Sequence, residues 1–588
     1  MCPQGTVAAG ACSIGAWWVP ACGPYESAMS ESLLDTLDFL LQVDITSSRL
    51  SLIGKEQWQD LYRSVSEEST SFTMWSGLLD DSAAARAMEH DGWDLPIDDH
   101  RPGFSQSWRD GNEVTTYHSR GWDYGARPII RYRTFHGAFP SYFEVDEELR
   151  LYHNLAEDKG RGVLFDFDAS GREIEVVRLK ENQVEARLRY LRQFQAGTSL
   201  HLAVFIDSRR YSKLALADVL ADERERVGTD QGIRWRRNVA RCDFKNDYAT
   251  FSRLLCKVVL PPPARERAGI WPFEDDKANE PVRFIIGVDT DGNDVEHTSA
   301  PDALANYFGA NPDAPQYLTP VHFRREVLAK YFAEPERYEV SDGRLTCLHL
   351  WSCQIDNDLE SRVVVFLGDL GRDLPYEERL HWRQFNISPE GGISETSFRR
   401  SFLAQFADSQ SSDLTFRQEY ADTSHCWQER HGWALYLAPS AGDSHLLSTV
   451  RIPVTNSQAE LDEQVGYLTK LLVDFLNEKE LASRSGRLDE DAKGITKLEL
   501  FLQKIGFPER QTFIQLLRNL QALRSAGSAH RKGSAYDKTR AKLGLDPARK
   551  ADIMKGFLEE AVKGLRALRR HCSGGLEDLR RPEGGRDS

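Results

Sequence analysis

The sequence predicts an α+β multidomain protein: a β-rich N-terminal domain at residues 29–260, an α+β middle domain at 264–455 and an all-α C-terminal domain at 457–572. Three observations predict this. The chain has 588 residues, which is too many for one hydrophobic core. Short runs rich in β-branched and aromatic residues fill much of 110–215, whereas residues after Ser457 follow the helical period. Pro261-Pro262-Pro263 marks a boundary, because three prolines cannot continue a helix or a central strand.

Both ends of the chain are predicted to lie outside these domains. Residues 1–28 contain the apolar run Ala8–Val19 but no Lys or Arg, whereas a secretory signal begins with positive charge. Met29, followed by periodic leucines, is a more natural beginning, so we expect 1–28 to be a disordered extension or to follow from a misplaced start codon. Residues 573–588 are glycine-rich and are predicted to be a disordered tail.

The N-terminal domain is predicted to be an antiparallel sheet. Its predicted strands are Pro128–Phe135, Tyr142–Val145, Arg150–His153, Gly162–Phe167, Glu173–Leu179 and Leu200–Ile206. Asp168-Ala169-Ser170-Gly171 predicts a hairpin turn. Asn182–Gln195 fits either a helix or a long strand.

The middle domain mixes both kinds of element, which is typical of an α+β fold. Its predicted strands are Val282–Val288, Leu345–Ile355, Arg362–Leu367 and Ser448–Val454. Its predicted helices are Ala303–Phe308, Pro320–Phe332 and Tyr376–Phe385.

The C-terminal domain is predicted to be a four-helix bundle, because four helical segments follow one another with short connections. The segments are Gln458–Asn477, Glu490–Ile505, Pro508–Arg524 continuing past His530, and Pro547–Arg570. Ser457 with Glu460 three residues later, and Asp546 before Pro547, are helix-start signals. Gly506-Phe507-Pro508 ends one helix and begins the next.

Charge is distributed unevenly along the chain. The formal net charge of −16 ordinarily argues against a nucleic-acid partner. Residues 501–572, however, contain sixteen Lys or Arg against six Asp or Glu, a surplus of ten positive charges. The sequence therefore predicts a basic module on an acidic body.

Two further features bear on location. No stretch approaches the roughly 18 continuous apolar residues of a membrane helix, so no membrane association is predicted. The nine cysteines lack paired spacing, which favours reduced thiols and a cytoplasmic location.

The most informative motif lies in the basic module, where Arg524-Ser525 precedes His530 by a gap of five residues. Histidine exchanges a proton near neutral pH, and arginine binds phosphate. On an unbroken helix the two side chains would lie about 120° apart, but Gly527 and Ser528 are poor helix formers, so a local break could bring them together. The alternative interpretation is a solvated basic helix end.

This C-terminal region resembles the HEPN domain, a helical bundle whose motif is Arg, then usually Asn, Asp or His, and then His after a short gap. Ser525 is smaller than the usual residue at its position. The flanking sequence is also similar to that of large bacterial proteins linked to abortive infection. The resemblance covers residues 457–572 and does not extend to 29–455.

The resemblance implies a metal-independent endoribonuclease that needs no cofactor and whose site forms across a homodimer. His530 would act as general base or acid, Arg524 would stabilise negative charge on the phosphorane, and Ser525 would orient one of them. The residues expected to bind RNA phosphates are Arg518, Arg531 and Lys532. The products would be a 2′,3′-cyclic phosphate and a 5′-hydroxyl.

The predicted function is that of an effector in a bacterial antiphage or toxin-type system. Its N-terminal body would restrain the nuclease until a phage-derived trigger arrives or an antitoxin is lost. Two alternatives stay open. The module could be catalytically inactive and serve RNA or nucleotide binding or dimerisation, which Ser525 favours, or the protein could be a structural component.

Other patterns do not predict a metal or nucleotide site. Two groups contain ligand types that suit zinc: Cys347, His349 and Cys353, and His425, Cys426 and His431. The first group would share one face of a predicted strand, which rarely collects three ligands, so no metal is predicted. Residues 289–294 lack the glycine and glutamate positions of a calcium loop, and Gly368-Asp369-Leu370-Gly371, interpreted as a structural turn, lacks the ending of a P-loop.

Overall fold

A computed structural model describes residues 35–89, 103–118, 126–270, 280–486, 492–527, 538, 540–546 and 548–574. The predicted extension at 1–28 and the tail beyond 574 lie outside the described residues. The protein is a mixed α+β chain with a large β-rich N-terminal part and a C-terminal helical region, as the sequence predicts at this level. It divides into two units, residues 1–166 with 174–273 and residues 167–173 with 274–588.

The first unit is built on one large sheet. Its strands, and those of two separate hairpins, are β1 (Trp58–Ser66), β2 (Thr70–Leu79), β3 (Gly103–Arg109), β4 (Asn112–His118), β5 (Ala126–Pro128), β6 (Ile130–Arg133), β7 (Tyr142–Val145), β8 (Ala156–Asp158), β9 (Val163–Phe167), β10 (Glu173–Lys180), β11 (Gln183–Arg187), β12 (His201–Ser212), β13 (Glu225–Asp230), β14 (Ile233–Arg241) and β15 (Thr250–Leu260). The sheet order is β13-β14-β15-β12-β2-β1-β11-β10-β9-β8, with β5 on β2. The hairpins are β3–β4 and β6–β7.

The helices of the first unit are short: α1 (Leu37–Leu40), α2 (Leu50–Leu52) after a π-helical turn at Ile45–Arg49, α3 (Asp81–Glu89), α4 (Glu147–Tyr152) and α5 (Leu188–Thr198). Two cations from the sheet bind the last carbonyls of α3, where the helix dipole favours positive charge. Lys257 Nζ donates to Ala87 O at 2.8 Å, and Arg234 Nη1 donates to Met88 O at 2.9 Å.

Most predicted strands of this unit are confirmed, and the exceptions have local causes. The predicted strand Arg150–His153 is wrong, because its residues complete α4 and the turn that follows it. Asn182–Gln195 divides into β11 and the start of α5, which explains why it fits both patterns. The predicted turn at 168–171 is confirmed: Asp168 Oδ1 accepts the Ser170 N–H at 2.8 Å, and Gly171 has a φ of +74°.

The second unit begins with an α+β part. Its strands are β16 (Arg283–Val288), β17 (Asp294–Thr298), β18 (Pro320–Arg324), β19 (Tyr338–Ser341), β20 (Arg344–Cys347), β21 (Trp351–Gln354), β22 (Arg362–Phe366) and β23 (Asn386–Ile387). They form three small sheets, β16-β17, β22-β18-β23 and β19-β20-β21. Its α-helices are α6 (Ala329–Ala333), α7 (Leu367–Asp373), α8 (Tyr376–Arg383) and α9 (Glu395–Phe402).

Several predicted elements of this part are wrong. Leu345–Ile355 is not one strand but the hairpin β20–β21, whose turn includes Leu348 with a φ of +46°. Pro320–Phe332 begins as strand β18 and becomes helical only at Arg325. Ala303–Phe308 contains only the end of a 3-10 turn, Pro301–Ala303, and Ser448–Val454 forms no strand. The predicted glycine turn after β22 is helix α7, where a Cβ on Gly371 would lie 1.8 Å from Ser299 O.

The helical region contains α10 (Ser412–His431), α11 (Leu446–Thr449), α12 (Gln458–Thr469), α13 (Glu478–Ser485), α14 (Gly494–Lys504), α15 (Arg510–Gly527) and α16 (Lys550–Cys572). A π-helical segment, Lys470–Asp474, continues α12. One hydrophobic core includes side chains of α10, α12, α14, α15 and α16. The helical core therefore begins before residue 457, because Phe416, Tyr420 and Trp427 of α10 belong to it.

A buried carboxylate joins α10 to the α+β part. Asp413, in the first turn of α10, accepts hydrogen bonds from Ser411 Oγ at 2.6 Å and from the Ile452 N–H at 3.1 Å. Arg325 lies 3.9 Å from it, and Arg417 donates to Val340 O of β19 at 2.9 Å. Burial alone would raise the pKa of Asp413, but Arg325 and Arg417 hold this pKa below its ordinary value.

We expect Asp413→Asn to lower the free energy of unfolding by about 3 kcal/mol at pH 7, because it leaves the buried Arg325 and the half-buried Arg417 without this countercharge. The depressed pKa of Asp413 means that its contribution is present above the unfolded value of about 4 and is lost as the pH falls through the folded value. Urea unfolding followed by circular dichroism should therefore show a deficit that shrinks below about pH 4. A deficit of the same size at pH 3 and pH 7 would contradict this account.

Two glycines of α16 offer a matched test of packing. A Cβ on Gly564 would lie 2.3 Å from Cδ2 of the buried Phe513, whereas a Cβ on Gly556 would meet no described atom within 4 Å. We expect Gly564→Ala to destabilise by about 1–3 kcal/mol, and Gly556→Ala to stabilise by about 0.5–1 kcal/mol through helix propensity. Thermal unfolding measures both, and equal effects would show that α15 and α16 do not pack in this way.

Candidate functional site

Helix α15 carries two of the three candidate arginines, Arg518 and Arg524, at the surface of the helical region. Gly506, with a φ of +70°, ends α14 and lets the chain turn into α15. The face that α15 buries consists of Phe513, Ile514, Leu516, Leu517, Leu520 and Leu523. Arg524 lies in the last turn, where the helix dipole favours a cation, and its side chain is 37% exposed.

Arg524 is paired with a carboxylate that follows α12. Its Nη1 donates to Asp474 Oδ2 at 2.6 Å, and the Asp474 side chain is 40% exposed. Asp474 is the last residue of the π-helical segment, a conformation that is rare and often found at functional sites. The pair is therefore accessible to solvent on its outer side while its backbone belongs to two packed elements.

Two of the other predicted site residues, Arg518 and Ser525, lie within the described part of the chain. Arg518 donates to Glu499 of α14 at 2.6 Å, so it does not share the carboxylate of Arg524. Ser525 is exposed beside Arg524. His530, Arg531 and Lys532 lie outside the described residues, so their distance from Arg524 stays a prediction.

Acidic residues from other elements reduce the positive charge of the basic module. Among the described residues, at least five of its cations pair with carboxylates outside 501–572: Arg518 with Glu499, Arg524 with Asp474, Lys555 with Glu360, and both Arg566 and Arg569 with Glu419. Glu419 is buried between α10 and α16. The surplus counted from the sequence therefore overstates the positive electrostatic field at the surface of this region.

Sequence reasoning missed Asp474. The predicted helix Gln458–Asn477 included it, but the acid follows the apolar run Leu471-Leu472-Val473 with no motif around it. The one signal in the sequence was a single acid at the end of an apolar run. Only the tertiary structure shows which cation this acid pairs with.

The zinc-type residues do not assemble a site. Cys347 and Cys353 are buried on neighbouring strands of the hairpin, and burial raises the pKa of the Cys347 thiol to about 11. In α10, His425 pairs with Glu429, while Cys572 Sγ lies 3.9 Å from His431 Nε2. Within the described part of the chain, no three His, Cys, Asp or Glu side chains are arranged to hold a metal ion.

A polar cleft of about 280 Å³ lies in the α+β part and is lined by Asp342, Asp356 and Arg400, among others. Its charges already have protein partners. Arg400 donates to both carboxylate oxygens of Asp342, at 2.7 and 2.8 Å, and Asp356 Oδ2 accepts the Ser394 N–H at 2.6 Å. The cleft therefore offers a ligand few unpaired charges.

Comparison with family models, with curated proteins and with solved structures finds no match for this chain. Among the helices described, none is long and apolar enough to cross a membrane.

Proposed function

We propose that residues 457–572 form a HEPN-like four-helix module that cleaves RNA without a metal ion. The observation that supports it best is Arg524, whose partly exposed guanidinium lies in the last turn of a helix of the hydrophobic core, directly before Ser525 and six residues before His530. Helices α12, α14, α15 and α16, together with the short α13, lie within residues 457–572.

The chemistry follows from these residue types. Arg524 stabilises the negative charge that develops on the phosphorane, and His530 transfers a proton to or from the ribose 2′-oxygen or the leaving 5′-oxygen. Ser525 orients one of the two. Arg531 and Lys532, with Arg518 if an RNA phosphate displaces Glu499, bind flanking phosphates without sequence preference.

The rest of the proposal concerns context. We propose a cytoplasmic effector of a bacterial antiphage or toxin-type system that acts as a homodimer through the helical region. The acidic body restrains it only in part, so that the expressed chain keeps measurable activity before a phage-derived trigger arrives or an antitoxin is lost. Glu360 of the α+β part, which binds Lys555 of α16, is one contact through which such restraint could reach the module.

The second candidate is an inactive HEPN-like module that binds RNA or nucleotides or mediates dimerisation. The small Ser525 and the five cations already paired with acids favour it. If His530→Ala loses RNA binding while RNA stays equally intact with the wild type and the variant, the result would identify this candidate.

We expect expression of the wild-type chain to arrest growth and degrade cellular RNA, and His530→Ala and Arg524→Ala each to reduce degradation by at least about 100-fold, because each removes a group that acts in the transition state. Arg570→Ala is the matched control, since it removes an exposed arginine of the same basic module. Growth curves and electrophoresis of total RNA measure both effects. Equal RNA integrity in wild type and His530→Ala would reject the ribonuclease.

A further inference from the structure

We infer that Asp474 is a positioning residue for Arg524, holding one guanidinium nitrogen so that the others face the RNA phosphate. The inference rests on the proposed ribonuclease function and adds to it a residue outside the Arg–His motif. Three observations support it. Asp474 lies on a well-packed element, it binds one nitrogen of the Arg524 guanidinium, and the ion pair contributes little to the free energy of unfolding.

Asp474 lies at the end of a well-packed π-helical segment. The π-helical segment has buried side chains at Leu471, Leu472 and Val473. A carbonyl in its widened turn accepts a hydrogen bond from another helix, because Tyr420 Oη of α10 donates to Leu471 O at 3.2 Å. A side chain that hydrogen-bonds to a backbone carbonyl of a helix in this way is a recognised cause of a local departure from α-helical geometry.

Backbone hydrogen bonds also hold the chain that follows the π-helical segment. Phe475 N donates to Lys470 O at 3.0 Å, closing the π turn. Leu437 N then donates to Phe475 O at 2.7 Å, and Asn477 N donates to Leu435 O at 2.8 Å. Asp474 thus lies between two anchored stretches of backbone, so its carboxylate offers a fixed point to a long, flexible side chain.

The contact itself occupies only part of the guanidinium. Arginine has five N–H donors in a planar fork, and Nη1 alone donates to Asp474. Among the described residues, no other acid pairs with Arg524. The remaining donors can therefore bind a phosphate while the carboxylate limits the rotamers of the side chain.

The pair contributes little to the fold. Both side chains are more than a third exposed, and exposed ion pairs contribute little to the free energy of unfolding. Glu419 is a contrast, because its carboxylate is buried between Arg566 and Arg569 and joins two long helices. Removing the Asp474 carboxylate is therefore expected to leave a folded protein.

A carboxylate beside a phosphate-binding arginine could instead compete with the RNA. The two roles predict effects of opposite sign. A competitor, once removed, raises affinity and rate, whereas loss of a positioning residue lowers kcat because misplacement of a catalytic group costs most in the transition state.

The experiment uses the purified full-length chain and an end-labelled single-stranded RNA of mixed sequence, over concentrations that separate kcat from KM. The test variants are Asp474→Ala and Asp474→Asn, with His530→Ala as the reference for lost catalysis. Asp443→Ala is the matched control, because Asp443 accepts from Lys470 Nζ at 2.8 Å at the other end of the same π-helical segment.

We expect Asp474→Ala to lower kcat by about 10- to 100-fold and to change KM by less than about threefold. Asp474→Asn should lose less, since its amide oxygen still accepts from Nη1, and Asp443→Ala should equal wild type. Asp474→Ala with wild-type or higher kcat overturns the positioning role while the loss in His530→Ala still supports the ribonuclease. Equal cleavage by wild type and His530→Ala rejects the ribonuclease, and the positioning role with it.

Discussion

The arrangement of the second unit depends on the buried carboxylate of Asp413. Because Asp413 and Arg417 bind partners before and after α10, the start of this helix is fixed against β19 and against the chain that follows α11. Further along α10, Thr423 Oγ1 donates to Leu565 O of α16 at 3.1 Å, and Tyr420 holds the π-helical segment. The π-helical segment that carries Asp474 is therefore linked through α10 to this junction.

Charge pairing across elements changes how the basic module is understood. Along the sequence it is a block of positive charge, but in three dimensions neighbouring elements supply carboxylates to several of its cations. Two kinds of pair result. Glu419 is buried and structural, whereas Asp474 and Glu499 bind arginines at the surface, where an RNA phosphate could meet them. If the module binds RNA as proposed, its affinity should therefore depend on which surface pairs exchange with phosphate and on the salt concentration.

Local signals in the sequence predicted the helices α12, α14, α15 and α16 and five strands of the first unit, but they missed the long helix α10 and the strands β1, β2 and β13–β15. Ser457 caps α12 as predicted, with its Oγ accepting the Glu460 N–H at 3.1 Å. Prediction failed where packing decides between states: β18 is a strand within a helix-like run, and Leu345–Ile355 bends at Leu348 without a glycine. For the proposed site, the sequence predicted the helix that carries Arg524, but it could not predict the pairing with Asp474, because that pairing joins residues 50 positions apart.

The central claim is that the helical region cleaves RNA through Arg524 and His530 without a metal ion. Analysis of the RNA ends tests this most directly. Attack by the 2′-hydroxyl, assisted by a histidine, gives RNA ends that differ from those of metal-dependent hydrolysis. Purified protein incubated with RNA in excess EDTA should yield 2′,3′-cyclic phosphate and 5′-hydroxyl ends. Cleavage that EDTA abolishes, or products with 5′-phosphate and 3′-hydroxyl ends, would contradict the account.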